Sequence, residues 1–390
     1  MSIIAHGRVS RGIKSFETGL ELARDVKRHF ASETLGGVMA YASVNHDQSA
    51  LLAGLREGLG GNVSILGCSG QGVMGRGSVD EEGYVAGAMG LGGSGLKLTT
   101  AHVEEFQTDP AAKGRSLGQA LRAAHADSLK GVVLHYDPLC GADVEVFLNA
   151  LHAEVRCPIV GGAAAEFWGP MRQTYQYVGE RALQHAAVAA GLSGEMTLES
   201  DICHGTSPIG IEMRVTKSEG TMVLEFDGRP ALDVWQEFCS EAPEQIEHSG
   251  AIGIGLPSEE PGQYLVRCAF GVDAAKKGVI FQAGIPSGSR VLFNHRTVEG
   301  AVEGTRAMAR RLRDKLGSKQ IRAVLGFECG ARTLPFLGKD VTRAENAELQ
   351  AALAPEAAWL GMLAWGEVSL FGGKPGFVNF SFPVLVLADA

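Results

Sequence analysis

No stretch of this 390-residue sequence approaches the 18 or more consecutive apolar residues of a membrane helix. Its first residues, MSIIAHGRVSRGIKSF, lack the continuous apolar core of a secretory signal, so none is expected. Basic residues are outnumbered, 35 Lys and Arg against 44 Asp and Glu, and the net charge is −9. A chain of that sign lacks the concentrated basic surface that general nucleic-acid binding needs. Aromatic residues make up only 7%. Seven cysteines are scattered and never fall in a CxxC or zinc-finger spacing, which predicts reduced thiols in a cytoplasm. Walker A, HExxH, GxSxG and CxxCH are all absent, so no common catalytic or haem-attachment signature selects a reaction.

Glycine is what the chain has in excess: 53 of 390, about 14% against a usual ~7%. No Gly-X-Y period organises it, so collagen is excluded and tight turns and close backbone approaches are expected. A 45% hydrophobic content supports globular cores, and the length predicts two domains.

Hydrophobic periodicity predicts βαβ-like units in the first half. Strands are expected at 36–44, 62–67, 84–92, 95–104, 131–136 and 157–165, with helices at 47–59, 113–127 and 141–155. Asp47 is the expected N-cap of the first of these helices. From 174 to 226 the pattern becomes a run of short strands, and a helix begins near Pro230. The second half predicts strands at 263–270, 278–283, 289–294, 321–328, 358–366 and 376–388, with helices at 297–316 and 343–354. The fold class is therefore α/β or α+β: two mixed-sheet domains with flanking helices, 1–226 and 227–390, packed against each other.

Gly70-Gln71-Gly72-Val73-Met74-Gly75 matches GxGxxG, but the following residues have no helical period, so a dinucleotide fold is not predicted. A glycine-rich strand and loop lining a ligand cavity is the better reading. His204 and His295 sit at element ends, where ligand residues gather. Cys329-Gly330-Ala331-Arg332 and Trp365-Gly366-Glu367-Val368 each follow an apolar strand. An Arg and a Glu at such positions need partners: each other, or the two ends of a zwitterionic ligand. Cys329 or Cys68 as a nucleophile is a further alternative, with no general base in view.

ILGCSGQGV (65–73), CPIVGGAAA (157–165) and above all HGTSPIGIEMRVTKSEGTMVLEFDGRPALDVW (204–235) resemble the FIST family. So do Cys329-Gly-x-Arg332, Gly366-Glu367 and Asn379. The family's histidine-asparagine pair appears here as Val378-Asn379, so only the asparagine carries over. The resemblance implies a cytoplasmic signal-input protein that binds a small, amino-acid-like ligand. It acts on a separate partner such as a histidine kinase, a diguanylate cyclase or a phosphodiesterase. Gly67, Cys68, Ser69, Gly70, Gly72, Cys329, Arg332, Gly366, Glu367 and Asn379 are the expected ligand residues. One subgroup implies haem b and nitric-oxide sensing, with His204 and then His295 as candidate axial ligands.

Overall fold

The computed structural model describes residues 3–31, 33–239, 252–258 and 264–390. The chain is a mixed α/β fold, 29% helical and 43% strand. It consists of three units of the same topology, with a barrel inserted into the third.

The first unit runs β1 (Ile4–Ser10), α1 (Ser15–His29), β2 (Leu35–Ala42), α2 (Gln48–Leu59), β3 (Ser64–Ser69), the hairpin β4 (Val73–Gly75) and β5 (Ser78–Asp80), and β6 (Ala86–Gly92). The second runs β7 (Lys97–Glu104), α3 (Pro110–His125), β8 (Leu129–Tyr136), α4 (Val144–Val155), β9 (Ile159–Ala163), the hairpin β10 (Gln176–Val178) and β11 (Arg181–Leu183), and β12 (Ala186–Ser193). The third opens with β13 (Met196–Cys203). The barrel follows: β14 (Thr206–Glu219), β15 (Met222–Phe226), β16 (Arg229–Pro230), α5 (Ala231–Phe238), β17 (Ile252–Pro257), β18 (Tyr264–Asp273), β19 (Gly278–Phe281) and β20 (Arg290–Arg296). The third unit then resumes with α6 (Val298–Leu316), β21 (Ile321–Cys329), α7 (Lys339–Leu353), β22 (Ala358–Ala364), the hairpin β23 (Glu367–Phe371) and β24 (Lys374–Val378), and β25 (Phe382–Asp389).

Each unit builds a sheet on a parallel pair, β2 with β3, β8 with β9 and β21 with β22. Its closing strand and first strand add antiparallel on one side. The hairpin on the other side is supplied by a neighbour. Hairpin β4–β5 joins β22, β10–β11 joins β3, and β23–β24 joins β9. The exchange is cyclic: each unit completes its sheet with the hairpin of one neighbour and gives its own hairpin to the other.

Strand alternation sorts the side chains between one shared inner core and three outer cores covered by helices. Met39, Tyr41, Val133, Val160, Leu325, Phe327 and Met362 face inward, into one core shared by all three sheets. Val38 and Ala40 face α1 and α2, Leu134 faces α3 and α4, and Val324 faces α6 and α7. Strands buried on both faces explain the near-continuous apolar runs in the sequence. Aspartates set the helix starts: Asp47 accepts from Ala50 N at 2.9 Å, Asp109 from Ala112 N at 2.9 Å, and Asp143 from Glu145 N at 3.1 Å.

In the insertion, β14, β20, β17, β18, β19 and β15 pair antiparallel in a closed circuit around Trp235, Phe281 and Phe293. The expected boundary at 226 falls inside this barrel, at the end of β15. Two of the three large sheets combine strands from both sides of that residue. The strand expected at 376–388 is interrupted at 379–381, where Phe380 takes a left-handed φ of 58°. The strand expected at 263–270 is β18, and its first residue, 263, lies outside the described residues.

Candidate functional site

The three strand ends that drew attention in the sequence are equivalent positions of the three units. Gln71 N donates to Leu363 O at 3.0 Å, Ala165 N to Ser69 O at 2.9 Å and Trp365 N to Ala163 O at 3.4 Å. Each unit thus bonds the next in a closed ring. Gly67, Gly161 and Gly361 sit just before it. A Cβ there would lie 1.6 Å from Ala40 O, 1.9 Å from Leu134 O and 2.4 Å from Gly326 O. The glycines of these motifs let paired strands pack without a side chain.

The ring occupies the groups expected to cradle a ligand. Gly70 N donates to Ala42 O, and Gly72 O accepts from Leu363 N. The Ser69 hydroxyl donates to Ala165 O at 2.9 Å. The Cys68 thiol points at the Met362 sulfur, and burial pushes its pKa well up. Inside the ring, Tyr41 and His135 meet at 3.1 Å, and His135 Nδ1 lies 3.0 Å from Gly162 O. A carbonyl only accepts, so that nitrogen carries the proton. Burial lowers the His135 pKa to about 4.

Arg332 and Glu367 do not meet. The Arg332 guanidinium is fully buried and bonds Glu328, both oxygens of Glu345 (2.8 and 2.6 Å), Ala301 O and Thr305 Oγ1. It ties β21 to α6 and α7. Glu328 is raised to about 8, mainly by burial and despite Arg332. Glu367 accepts from Gly366 N, Ser381 N and Ser381 Oγ, the last at 2.7 Å. Burial raises it to about 8 as well, while Ser381 and the Cys329 thiol pull the other way. Cys329 is itself buried and its thiol is pushed well up by that burial.

Cys329, Gly366, Glu367 and Asn379 converge on the seam between the barrel and the three-unit body. The interruption at 379–381 creates this seam. Asn379 N donates to Val266 O at 2.9 Å, and its Oδ1 accepts from Cys268 N at 3.1 Å. Its amide nitrogen donates to Gln282. Cys329 N donates to Ser381 O.

Two arginines that the sequence reading passed over also enter the seam from the barrel. Arg267, on β18, is 2% exposed. One of its terminal nitrogens pairs with Glu145 of α4, while Nε and Nη1 have no hydrogen-bond partner among the described residues. Arg296, at the end of β20, is also 2% exposed and lies between the rings of Phe336 (3.9 Å) and Phe380 (3.8 Å). Its terminal nitrogens reach only Ala331 O, at 3.4 and 3.3 Å, and Nε has no partner. No carboxylate pairs with Arg296 among the described residues, and burial lowers it to about 10. The Tyr136 hydroxyl, on a side chain 3% exposed, is also without a partner among the described residues, and burial raises its pKa so that it stays a neutral donor. Cys268 feels Arg296, Glu367 and Arg267 together. Buried donors without partners cost about 1–3 kcal/mol each, and more when charged. With Glu367 protonated near neutral pH, the seam is a donor-rich, net positive site.

His204 and His295 lie elsewhere. His204 Nδ1 is 3.1 Å from Thr206 N and 2.9 Å from its hydroxyl, and burial lowers the ring to about 4. His295 projects from β20 on an exposed face. His204 Nδ1 is already engaged by Thr206 and His295 stands in solvent, so neither setting supports a haem. Two overlapping surface clefts, of about 230 and 350 Å³, run between β5 and α7. They are lined by Arg11, Asp80, Arg343 and other charged groups, with no histidine. Here the Asp80 carboxylate already accepts from Arg11 Nε at 3.0 Å. Among the described residues no cluster of His, Cys, Asp or Glu could hold a metal, and no helix is long and apolar enough to cross a membrane.

Comparison with known proteins agrees with the resemblance read from the motifs. An uncharacterized protein of Mycobacterium tuberculosis is 24% identical over 98% of this chain and 100% of its own length. An uncharacterized protein of Methanocaldococcus jannaschii is 22% identical over 61% of this chain, which spans about half (46%) of that protein. A chorismatase crystal structure aligns over 100% of this chain and 99% of its own at 9% identity and a TM-score of 0.36, and nothing is built on it. The FIST N domain profile matches residues 37–229 and the FIST C domain profile residues 231–369. The chain belongs to the FIST family, whose domains are associated with small-ligand sensing in signal transduction.

Proposed function

We propose that this protein senses a small amino-acid-like metabolite bound at the seam between barrel and body. The observation that carries the reading is the pair of buried guanidinium groups, Arg267 and Arg296, with unpartnered nitrogens and one charge lacking a carboxylate. A carboxylate fits such donors, since charge-assisted bonds to Arg are short, strong and bidentate. The Tyr136 hydroxyl supplies a further donor, and Asn379 holds the strand interruption that shapes the site. Glu367 takes the ammonium end, giving up its proton as it does so.

Binding at this seam changes how the barrel sits on the body, because Arg267 is the barrel's link to Glu145 on α4. That link is the route by which occupancy reaches the outer surface. The output partner, a histidine kinase or a cyclic-dinucleotide enzyme in the cytoplasm, is carried over from the family resemblance alone.

The test is calorimetric titration with the common L-amino acids, on the native chain and on Arg267→Gln. At least one amino acid is expected to bind, and the substitution to weaken it by about 30-fold or more, the equivalent of ~2 kcal/mol. Binding that is indifferent to Arg267→Gln and to Arg296→Gln would overturn this site.

A further inference from the structure

The three units differ most in the connection between the third strand and its hairpin. It is residues 70–72 in the first unit and 365–366 in the third, but 164–175 in the second. The long connection is anchored at its base, where Glu166 accepts from Arg172 N at 2.7 Å and Gln173 N at 3.1 Å. Its outward residue is Trp168, 41% exposed.

The other departure from threefold repetition is the barrel, and the two departures meet. The Trp168 ring lies 5.9 Å from that of Trp365, in the equivalent connection of the third unit. Trp365 in turn meets Phe270 of β18 edge-on at 6.0 Å. Phe270 is 42% exposed, although burial is the usual fate of an aromatic ring of that size. Three aromatic rings from three separate segments therefore share one exposed spot.

That spot is joined to the seam by the chain itself. Trp365 is followed by Gly366 and Glu367. Phe270 stands three residues along β18 from Arg267, as the extra residue of the bulge between Ala269 and Gly271. Rings at the outer end of a donor-rich site offer π-faces to a planar group, and offset or edge-to-face pairing adds selectivity beyond apolar area.

We infer that the seam ligand carries a planar ring, as in an aromatic amino acid or aryl carboxylate, which lodges among Trp168, Trp365 and Phe270. The inference rests on the seam reading above but does not follow from it, because the guanidinium groups recognise a carboxylate whatever it carries. Trp168 and Trp365 are then specificity residues, and Arg267 and Arg296 supply affinity common to all carboxylates.

The experiment titrates the whole protein with L-phenylalanine, L-tryptophan, L-leucine and L-alanine, reading heat and, except with L-tryptophan, intrinsic tryptophan emission. The other two tryptophans, Trp235 and Trp359, are buried away from solvent, so emission changes on binding report the exposed pair. Phenylalanine and tryptophan are expected to bind at least tenfold tighter than leucine and alanine, and phenylalanine to shift the emission. Trp168→Ala, at an exposed position, and Trp365→Leu are each expected to reduce phenylalanine affinity about tenfold and leave leucine nearly unchanged. If leucine or alanine binds as well as phenylalanine, with Arg267→Gln still destructive, the ring inference fails and the seam reading stands. If phenylalanine binds and neither Arg267→Gln nor Arg296→Gln weakens it, both fail; if neither phenylalanine nor tryptophan binds, the ring inference fails.

Discussion

Replacing Arg332 by alanine is expected to destabilise the protein severely without touching ligand recognition. The side chain is fully buried, and its loss leaves Glu328 and Glu345 facing each other in a site closed to water. Removing one partner from a buried ion network costs about 3–5 kcal/mol, because the remaining charge is uncompensated. For a chain of 390 residues that is a melting-temperature drop of roughly 4–6 °C. Glu328 is already raised to about 8, and without the guanidinium it folds only as the protonated acid. Because Glu328 is already protonated below about 8 in the native fold, its share of the deficit should be flat between pH 7 and 5.5 and grow as pH rises through 8. The assay is urea and thermal unfolding by circular dichroism at pH 8, 7 and 5.5, with amino-acid binding measured well below the midpoint. The triple variant Arg332→Met, Glu328→Gln, Glu345→Gln removes all three charges and should recover most of the loss. A normal melting temperature in Arg332→Ala, together with loss of amino-acid affinity, would refute this reasoning. It would return Arg332 to the ligand-clamping role that its Cys-Gly-x-Arg setting first suggested.

Glu367 should make stability fall with rising pH. Its folded pKa, about 8, lies above the unfolded carboxylate value of ~4.3, so its contribution is complete at low pH and is lost as pH rises through 8. Glu367→Gln should lose less stability than the native chain between pH 7 and 9, read as the difference in urea midpoints. The ring glycines should be intolerant as a set: Gly67→Ala, Gly161→Ala and Gly361→Ala each drive a Cβ into a partner strand's backbone and should leave little soluble protein. Gly77→Ala, in open space at φ 72°, should cost only about 1 kcal/mol by thermal melting.

Most regular elements were legible because they follow simple periods. The strands expected at 36–44 and 131–136, the helix capped by Asp47 and the long helix expected at 297–316 stand as β2, β8, α2 and α6. Rejecting a dinucleotide fold at Gly70–Gly75 was sound for the reason given: a strand, β4, follows instead of a helix. β1 and α1 were missed because the first residues were weighed only as a possible leader. The threefold repeat was invisible because its units share glycine positions and little else. The barrel also stretches the spacing of Gly67, Gly161 and Gly361 unequally.

At the site, Cys329, Gly366, Glu367 and Asn379 were drawn from the family resemblance and do share the seam. The glycines at 67–72 were read as a cradle; Gly70 N instead donates to Ala42 O in its own unit, and Gly72 O accepts from Leu363 N. Arg267 and Arg296 did leave a signal. Arg267 is a lone arginine inside an apolar strand, YLVRCAF, where a buried charge needs a reason, and Arg296 ends the strand RVLFNHR. That signal was overlooked because those strands were scanned for period alone.

The most direct measurement is a crystal structure grown with a saturating amino acid, L-phenylalanine first. The account predicts its carboxylate within about 3.2 Å of Arg267 Nε or Nη1, and its ammonium on Glu367. An amino acid seated in the Asp80–Arg343 cleft, or water alone hydrogen-bonded to both arginines in a crystal saturated with it, would contradict the account.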